Sequence, residues 1–328
     1  MSIERTALTT SLPMIGNPLR LRMALRRDPP ALIVAPRRVL SDPLLGQLSY
    51  LTNASERGAR PEPALLLVHA PGVNASAHDL RQLFEGFRDE RTTFAPDLPG
   101  FGSSTCETDA FTPDLYALAI ERMLDLAASQ AEGGVDVVAV GLSAEFAAKV
   151  AAQRPDVVRS LTLLDPSGFA SDRARGAVEV AARDGKTLWP LSLLRRAGLG
   201  SLVVEAFRAR AALRRPNLLR WKQRHDPRQG AATRPDTRRA ALAYLTGSLF
   251  PAENPLAIYT RVHCPTLIVS ASSARARFQE LARFVKWRDH FSALELPHVD
   301  LSSDHDGAVI AEAMRAFWDG PGRRSRVC

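Results

Sequence analysis

Cysteine is scarce in this 328-residue sequence: Cys106, Cys264 and Cys328 are far apart, and no two form a CxxC pair. That spacing excludes a local zinc site and gives no disulfide framework, so the thiols are expected to be reduced and structural. Long apolar runs are missing as well. Stretches such as Ala64–Val68 and Val137–Val140 are far too short to cross a bilayer, and they have the length and β-branched content of buried strands. Arg5, Arg20, Arg22, Arg26 and Arg27 near the N-terminus are followed by no uninterrupted apolar stretch and no small-residue cleavage site. A secretory signal is therefore not expected, and a cytoplasmic location is.

What is present is 45% hydrophobic residues, enough at this length to bury a large core in one domain of unusual size, or in one domain plus a sizeable insertion. The net charge is +8, and its distribution is uneven. Residues 171–240 hold 17 Lys and Arg against 6 Asp and Glu, a local charge of +11, so the rest of the chain sums to −3. Within that stretch Arg195, Arg196, Arg214 and Arg215 alternate with Leu, Ala and Val at helical spacing, the pattern of a solvated helix face. No interleaved aromatic set or base-reading motif accompanies them, so nucleic acid is not an expected partner, although an anionic ligand or acidic surface would be attracted there.

From residue 46 onward, strand-like and helix-like segments alternate. Strands are expected at Gln47–Thr52, Ala64–His69, Thr92–Pro96, Val135–Val140 and Val158–Leu164, with helices at His78–Phe87, Tyr116–Ala128 and Ala144–Gln153, the last closed by Pro155. This is the βαβ rhythm of a mostly parallel sheet. After Pro166 nearly a hundred residues show helical stretches and breaks without a strand. The rhythm resumes at Pro265–Ser270 and Phe291–Leu296 and closes with a helix over Ala308–Trp318. The expected organisation is an arginine-rich, peripheral N-terminal segment (1–45), an α/β core (46–166 and 251–319), a helical cap (167–250) and a short tail (320–328).

The strongest chemical signal is Val-Asp-Val-Val-Ala-Val-Gly-Leu-Ser-Ala-Glu-Phe at residues 135–146, a buried strand running through one tight turn into a helix. Such a turn can present a serine nucleophile on strained backbone, with small residues required two positions before and after it. With Ser143 at the apex, Gly141 meets the first demand, while Glu145 stands where the second small residue would be.

Several blocks in order carry a resemblance to the α/β-hydrolase superfamily over roughly residues 46–318. They are Leu-Leu-Leu-Val-His ending at His69, Ala-Pro-Asp-Leu-Pro-Gly-Phe-Gly-Ser at 95–103, the turn itself, and Leu-Thr-Leu-Leu-Asp-Pro-Ser-Gly-Phe at 161–169. The chain looks like a bacterial branch whose turn reads Ser-x-x-Glu-Phe and in which Gly-Ser-Leu-Phe, here 247–250, precedes the return to the sheet. The resemblance implies an α/β-hydrolase fold, a mostly parallel central sheet flanked by helices, with the cap inserted after the sixth strand. It implies Ser143 as nucleophile and a histidine after the last strand, here His298 in Leu-Pro-His-Val-Asp, in preference to His305.

A carboxylate should orient that histidine. At the usual place Arg277 stands where an Asp would be expected and Glu280 comes too late, leaving Asp165 after the preceding strand, at a position equally suited to a turn residue. His69 is expected to serve a structural hydrogen bond. The oxyanion hole needs two backbone N–H donors, one from Ala144 and one from the second residue after His69, which is Pro71 and has no N–H; Gly72 or Val73 could substitute. A small-molecule acyl substrate, no metal and no organic cofactor are implied. The rival expectation is a weakened or inactive member that binds a ligand or partner, motivated by Arg277, Pro71 and Glu145.

Overall fold

The computed structural model describes residues 33–54, 62–73, 75–106, 108, 110–169, 234–271, 275–297, 299, 301 and 304–320, without the side chains of 275–280 and 304. Eight strands form one sheet: β1 (Arg37–Asp42), β2 (Gly46–Thr52), β3 (Ala64–Val68), β4 (Thr93–Pro96), β5 (Val135–Val140), β6 (Val158–Leu164), β7 (Thr266–Ala271) and β8 (Phe291–Leu296). Their order across the sheet is β1-β2-β4-β3-β5-β6-β7-β8. β1 and β2 are antiparallel to their neighbours, and every pair from β4–β3 to β7–β8 is parallel. The helices are α1 (Arg81–Phe87, entered through a 3-10 turn at Ala77–Leu80), α2 (Pro113–Ala128), α3 (Ser143–Gln153), α4 (Pro235–Leu245), α5 (Pro255–Thr260), α6 (Arg275–Lys286) and α7 (Asp304–Asp319).

Alternation along the strands explains the layering. Leu65 and Leu67 of β3 join Val138 of β5, Phe84 of α1 and Met314 of α7 on one face, while Leu66, Val68, Val137 and Ala139 join Met123 of α2 and Phe146 of α3 on the other. A sheet buried on both faces needs apolar residues at successive positions, which is why β3 reads as an unbroken run. Crossing helices then bring β3, β5, β6, β7 and β8 into parallel register, with their carboxyl ends on one edge.

One expectation changes. The sheet begins inside the arginine-rich N-terminal segment: β1 pairs with β2 over six residues, although its pattern Arg-Arg-Val-Leu-Ser-Asp has no apolar run. It is an edge strand, half exposed, and Arg37 anchors it by a salt bridge to the buried carboxylate of Asp97 (2.7 Å). Of the expected cap, α4 is helical and packs on the core; residues 170–233 lie outside the described residues.

Asp97 also accepts hydrogen bonds from the Ala77 N–H (2.8 Å) and the Ser103 N–H (2.9 Å). The loop can wrap this carboxylate because Gly102 is left-handed (φ 52°); a Cβ there would lie 2.2 Å from Asp97 Cγ. Gly102→Ala should therefore cost more than about 2 kcal/mol, combining left-handed strain with the clash. A urea midpoint giving less than half that loss would show the loop to be pliable.

Cys264 is buried, and burial pushes its thiol up to about 12. The thiolate is the reactive species, so native Cys264 should resist iodoacetamide at pH 8.5 and react once urea unfolds the chain. Peptide mapping that finds rapid native alkylation at Cys264 would contradict this.

Candidate active site

β5 lies between β3 and β6, so whatever follows Val140 emerges at the middle of the carboxyl edge. The Gly141 N–H continues the ladder by donating to the Leu164 carbonyl (3.0 Å), and there the chain turns. Gly141 is left-handed (φ 57°), Leu142 is already helical (φ −66°, ψ −29°), and α3 begins at Ser143. The reversal is complete in two residues.

Ser143 is thus not at the strained apex expected for it. Its φ is not positive, its residue is fully buried, and its Oγ donates to the His69 carbonyl at 2.7 Å. The physical reason is that Gly141, lacking a Cβ, lets the backbone reverse as soon as the strand ends. Counted from that apex, the small residues two before and two after are Ala139 and Ser143, both fully buried in the crossing of strand and helix. Glu145, out of place when Ser143 is put at the apex, lies instead in the first helical turn. It is buried and accepts from the Ser167 hydroxyl, and the Tyr259 hydroxyl donates to the Ser167 carbonyl (3.0 Å). An acidic side chain is favourable at a helix N-terminus.

The donors shift with the apex. Ala144, the expected oxyanion donor, spends its N–H on the Gly141 carbonyl (3.2 Å). Among the described residues no acceptor lies on the N–H groups of Leu142 or Ser143, which open the helix at the carboxyl edge. Such first-turn amides are what a developing oxyanion needs. In the loop after β3, Pro71 is buried without a donor, and the Gly72 carbonyl accepts from the Ala75 N–H (3.2 Å). Val73 packs on Ala241, Leu242 and Leu245 of α4. A helix from the expected cap thus closes over the loop that borders the turn.

His69 takes the structural role expected of it. The Leu98 N–H donates to its Nε2 (3.0 Å), so Nδ1 carries the proton and faces the Ala70 carbonyl (2.9 Å). A ring that accepts at one nitrogen is neutral.

Asp165 follows β6, and its N–H donates to the Val269 carbonyl (2.7 Å), between the turn and the end of β7. It is left-handed (φ 45°), and among the described residues it is the single non-glycine with positive φ. The Ser270 hydroxyl at the end of β7 is buried without a hydrogen-bond partner among the described residues, a polar group on this edge that sequence reading did not mark. His298 lies outside the described residues. His305 is exposed in the first turn of α7, and Arg277 and Glu280 fall within α6. Among the described residues no group of three or more His, Cys, Asp or Glu could hold a metal ion, and no helix is long and apolar enough to cross a membrane.

Comparison with known proteins agrees with this architecture. The sequence pattern of the Alpha/beta hydrolase family matches residues 65–319. A 2-(acetamidomethylene)succinate hydrolase of Mesorhizobium japonicum is 26% identical over 259 residues, 76% of this chain and 84% of that protein. The crystal structure of an E-2-(acetamidomethylene)succinate hydrolase superposes with a TM-score of 0.56 at 22% identity, covering 87% of this chain and all of that one. A hydrolase from Pseudomonas aeruginosa gives 0.61 at 16% identity over 88% of this chain and all of its own. The blocks at 65–69, 95–103 and 161–169 and the strand-turn-helix at 135–153 all fall inside the matched span, and the chain belongs to the alpha/beta hydrolase family.

Proposed function

We propose that the chain hydrolyses a small acyl compound, an ester or amide, held at the carboxyl edge with its carbonyl oxygen toward the N–H groups of Leu142 and Ser143. His298 serves as the base and Asp165 as the carboxylate that orients it. The observation that carries this is the left-handed backbone of Asp165. Holding a non-glycine residue there costs about 1–3 kcal/mol, and such strain persists where the surrounding structure fixes a functional side chain. The Val269 carbonyl and buried Pro166 fix it on either side. Family membership supports an enzyme, and the relative named for a small acetamido acid supports a small acyl substrate.

In this chemistry the base takes a proton from the attacking nucleophile while the two amides stabilise the charge growing on the carbonyl oxygen. Ser143 has a positioning role: its Oγ holds the His69 carbonyl, and with it the loop from Ala70 to Val73, against the helix start. The glycine at the apex also favours a second reading, a member that binds such a compound without turning it over.

Hydrolysis of p-nitrophenyl acetate and butyrate and of an N-acetyl amide across pH 6 to 9 separates these. Asp165→Asn and His298→Ala should each lower kcat/KM by about 10²–10⁴, the usual worth of a positioned base. Ser143→Ala should lower it by no more than about tenfold, since the backbone amides remain. A Ser143→Ala protein that melts like wild type yet hydrolyses nothing would restore serine as the nucleophile. Wild-type rates equal to buffer on every substrate, with saturable binding, would select the second reading.

A further inference from the structure

We infer that Gly141 holds the place of the nucleophile, so that this chain forms no covalent acyl intermediate at its elbow and any hydrolysis runs by direct attack of water. The reaction rests on the function proposed above; the placement of the apex does not.

Three independent features converge on residue 141. It is the left-handed residue between the end of β5 and the start of α3. Small residues flank it at the two positions where strand and helix cross, Ala139 and Ser143, each fully buried. The next N–H in the chain, that of Leu142, has no acceptor among the described residues, as required of the donor that follows a nucleophile. Ser143 meets none of these conditions: it is fully buried and its hydroxyl is committed to the His69 carbonyl.

The glycine is not there because space forbids a side chain. Among the described residues a Cβ at 141 would meet only Ala70 Cβ, at the ordinary contact distance of 3.4 Å, whereas one at Gly102 would overlap its neighbour at 2.2 Å. Position 141 therefore leaves room beside Ala70 for the reacting group. In the resulting step the water oxygen bonds to the acyl carbon as one of its protons passes to the base. The bond from that carbon to the alkoxide or amine then breaks, the proton is returned to the leaving group, and the free acid is released.

The test uses the full chain as wild type, Gly141→Ser, Ser143→Ala and the double variant. Each is treated with a fluorophosphonate serine probe and analysed by intact mass and peptide mapping. Labelling forms a bond from serine oxygen to phosphorus with loss of fluoride and of the hydroxyl proton. Wild type and Ser143→Ala should acquire no adduct on the elbow peptide. Gly141→Ser and the double variant should be labelled at position 141, at least about 100-fold faster than any wild-type reaction, since oriented amides and a base would now serve an attacking oxygen. An adduct on Ser143 of wild type overturns the inference. So does failure to label Gly141→Ser when its melting curve shows it folded. If Gly141→Ser is labelled while wild type hydrolyses no ester or amide, the apex stands and the hydrolytic function proposed above falls.

Discussion

The buried carboxylate of Asp97 is the constraint on which the carboxyl edge depends. A charge with 1% side-chain exposure must be paired and hydrogen-bonded to be tolerated, and here the partners come from distant parts of the chain. Arg37 of β1 supplies the cation, while Ala77 and Ser103 supply backbone donors. Arg37 also bonds Ser49 of β2 (2.8 Å) and His78 (3.2 Å), and the Ser104 hydroxyl bonds the Asp97 carbonyl (2.6 Å). Satisfying one carboxylate therefore fixes the first edge of the sheet, the loop after β4 and the start of the 3-10 turn. The adjacent Leu98 N–H sets the tautomer of His69, whose carbonyl in turn holds Ser143. The chain of contacts runs from an arginine in the N-terminal segment to the helix that opens the site.

The second organising feature is how soon the chain reverses after β5. A left-handed residue directly after the strand starts the helix at Ser143 and leaves the amides of Leu142 and Ser143 at the carboxyl edge. A turn two residues later would put Glu145 at the position where such a turn calls for a small residue. The same edge holds a second left-handed residue, Asp165, one strand away, and beyond it the buried Ser270 hydroxyl, which has no partner among the described residues. Backbone strain at 165 and available donors at 142 and 143 are what an acyl-binding site asks of its surroundings. The side chain that would make such a site a covalent catalyst is what residue 141 lacks. Since this fold hosts many chemistries, the features at this edge carry the functional reading and the architecture does not.

Much of the fold was legible because its signals are local. β5, β6 and β8 were bounded to the residue, and β3, β4 and β7 to within one residue at each end. β1 was missed because half-exposed edge strands need no apolar run; what fixes it is a salt bridge to a residue sixty positions away. The start of α7 came four residues earlier than expected, since Asp304 and His305 add no hydrophobic signal to a helix whose buried face begins later.

The sequence by itself determined the layered sheet, the strand-turn-helix after Val140 and the family, because hydrophobic periodicity and glycine placement are written along the chain. It also placed His69 in a structural role and marked Asp165 as a candidate acid. It did not determine which residue of Gly141-Leu142-Ser143 stands at the turn, since a motif with glycine and serine two apart reads equally well from either. Only the tertiary structure decided that, because the apex is chosen by where β5 stops pairing with β6 and by which side chains fit where the helix crosses the strand. Those are properties of three packed elements, and no single stretch of sequence contains them.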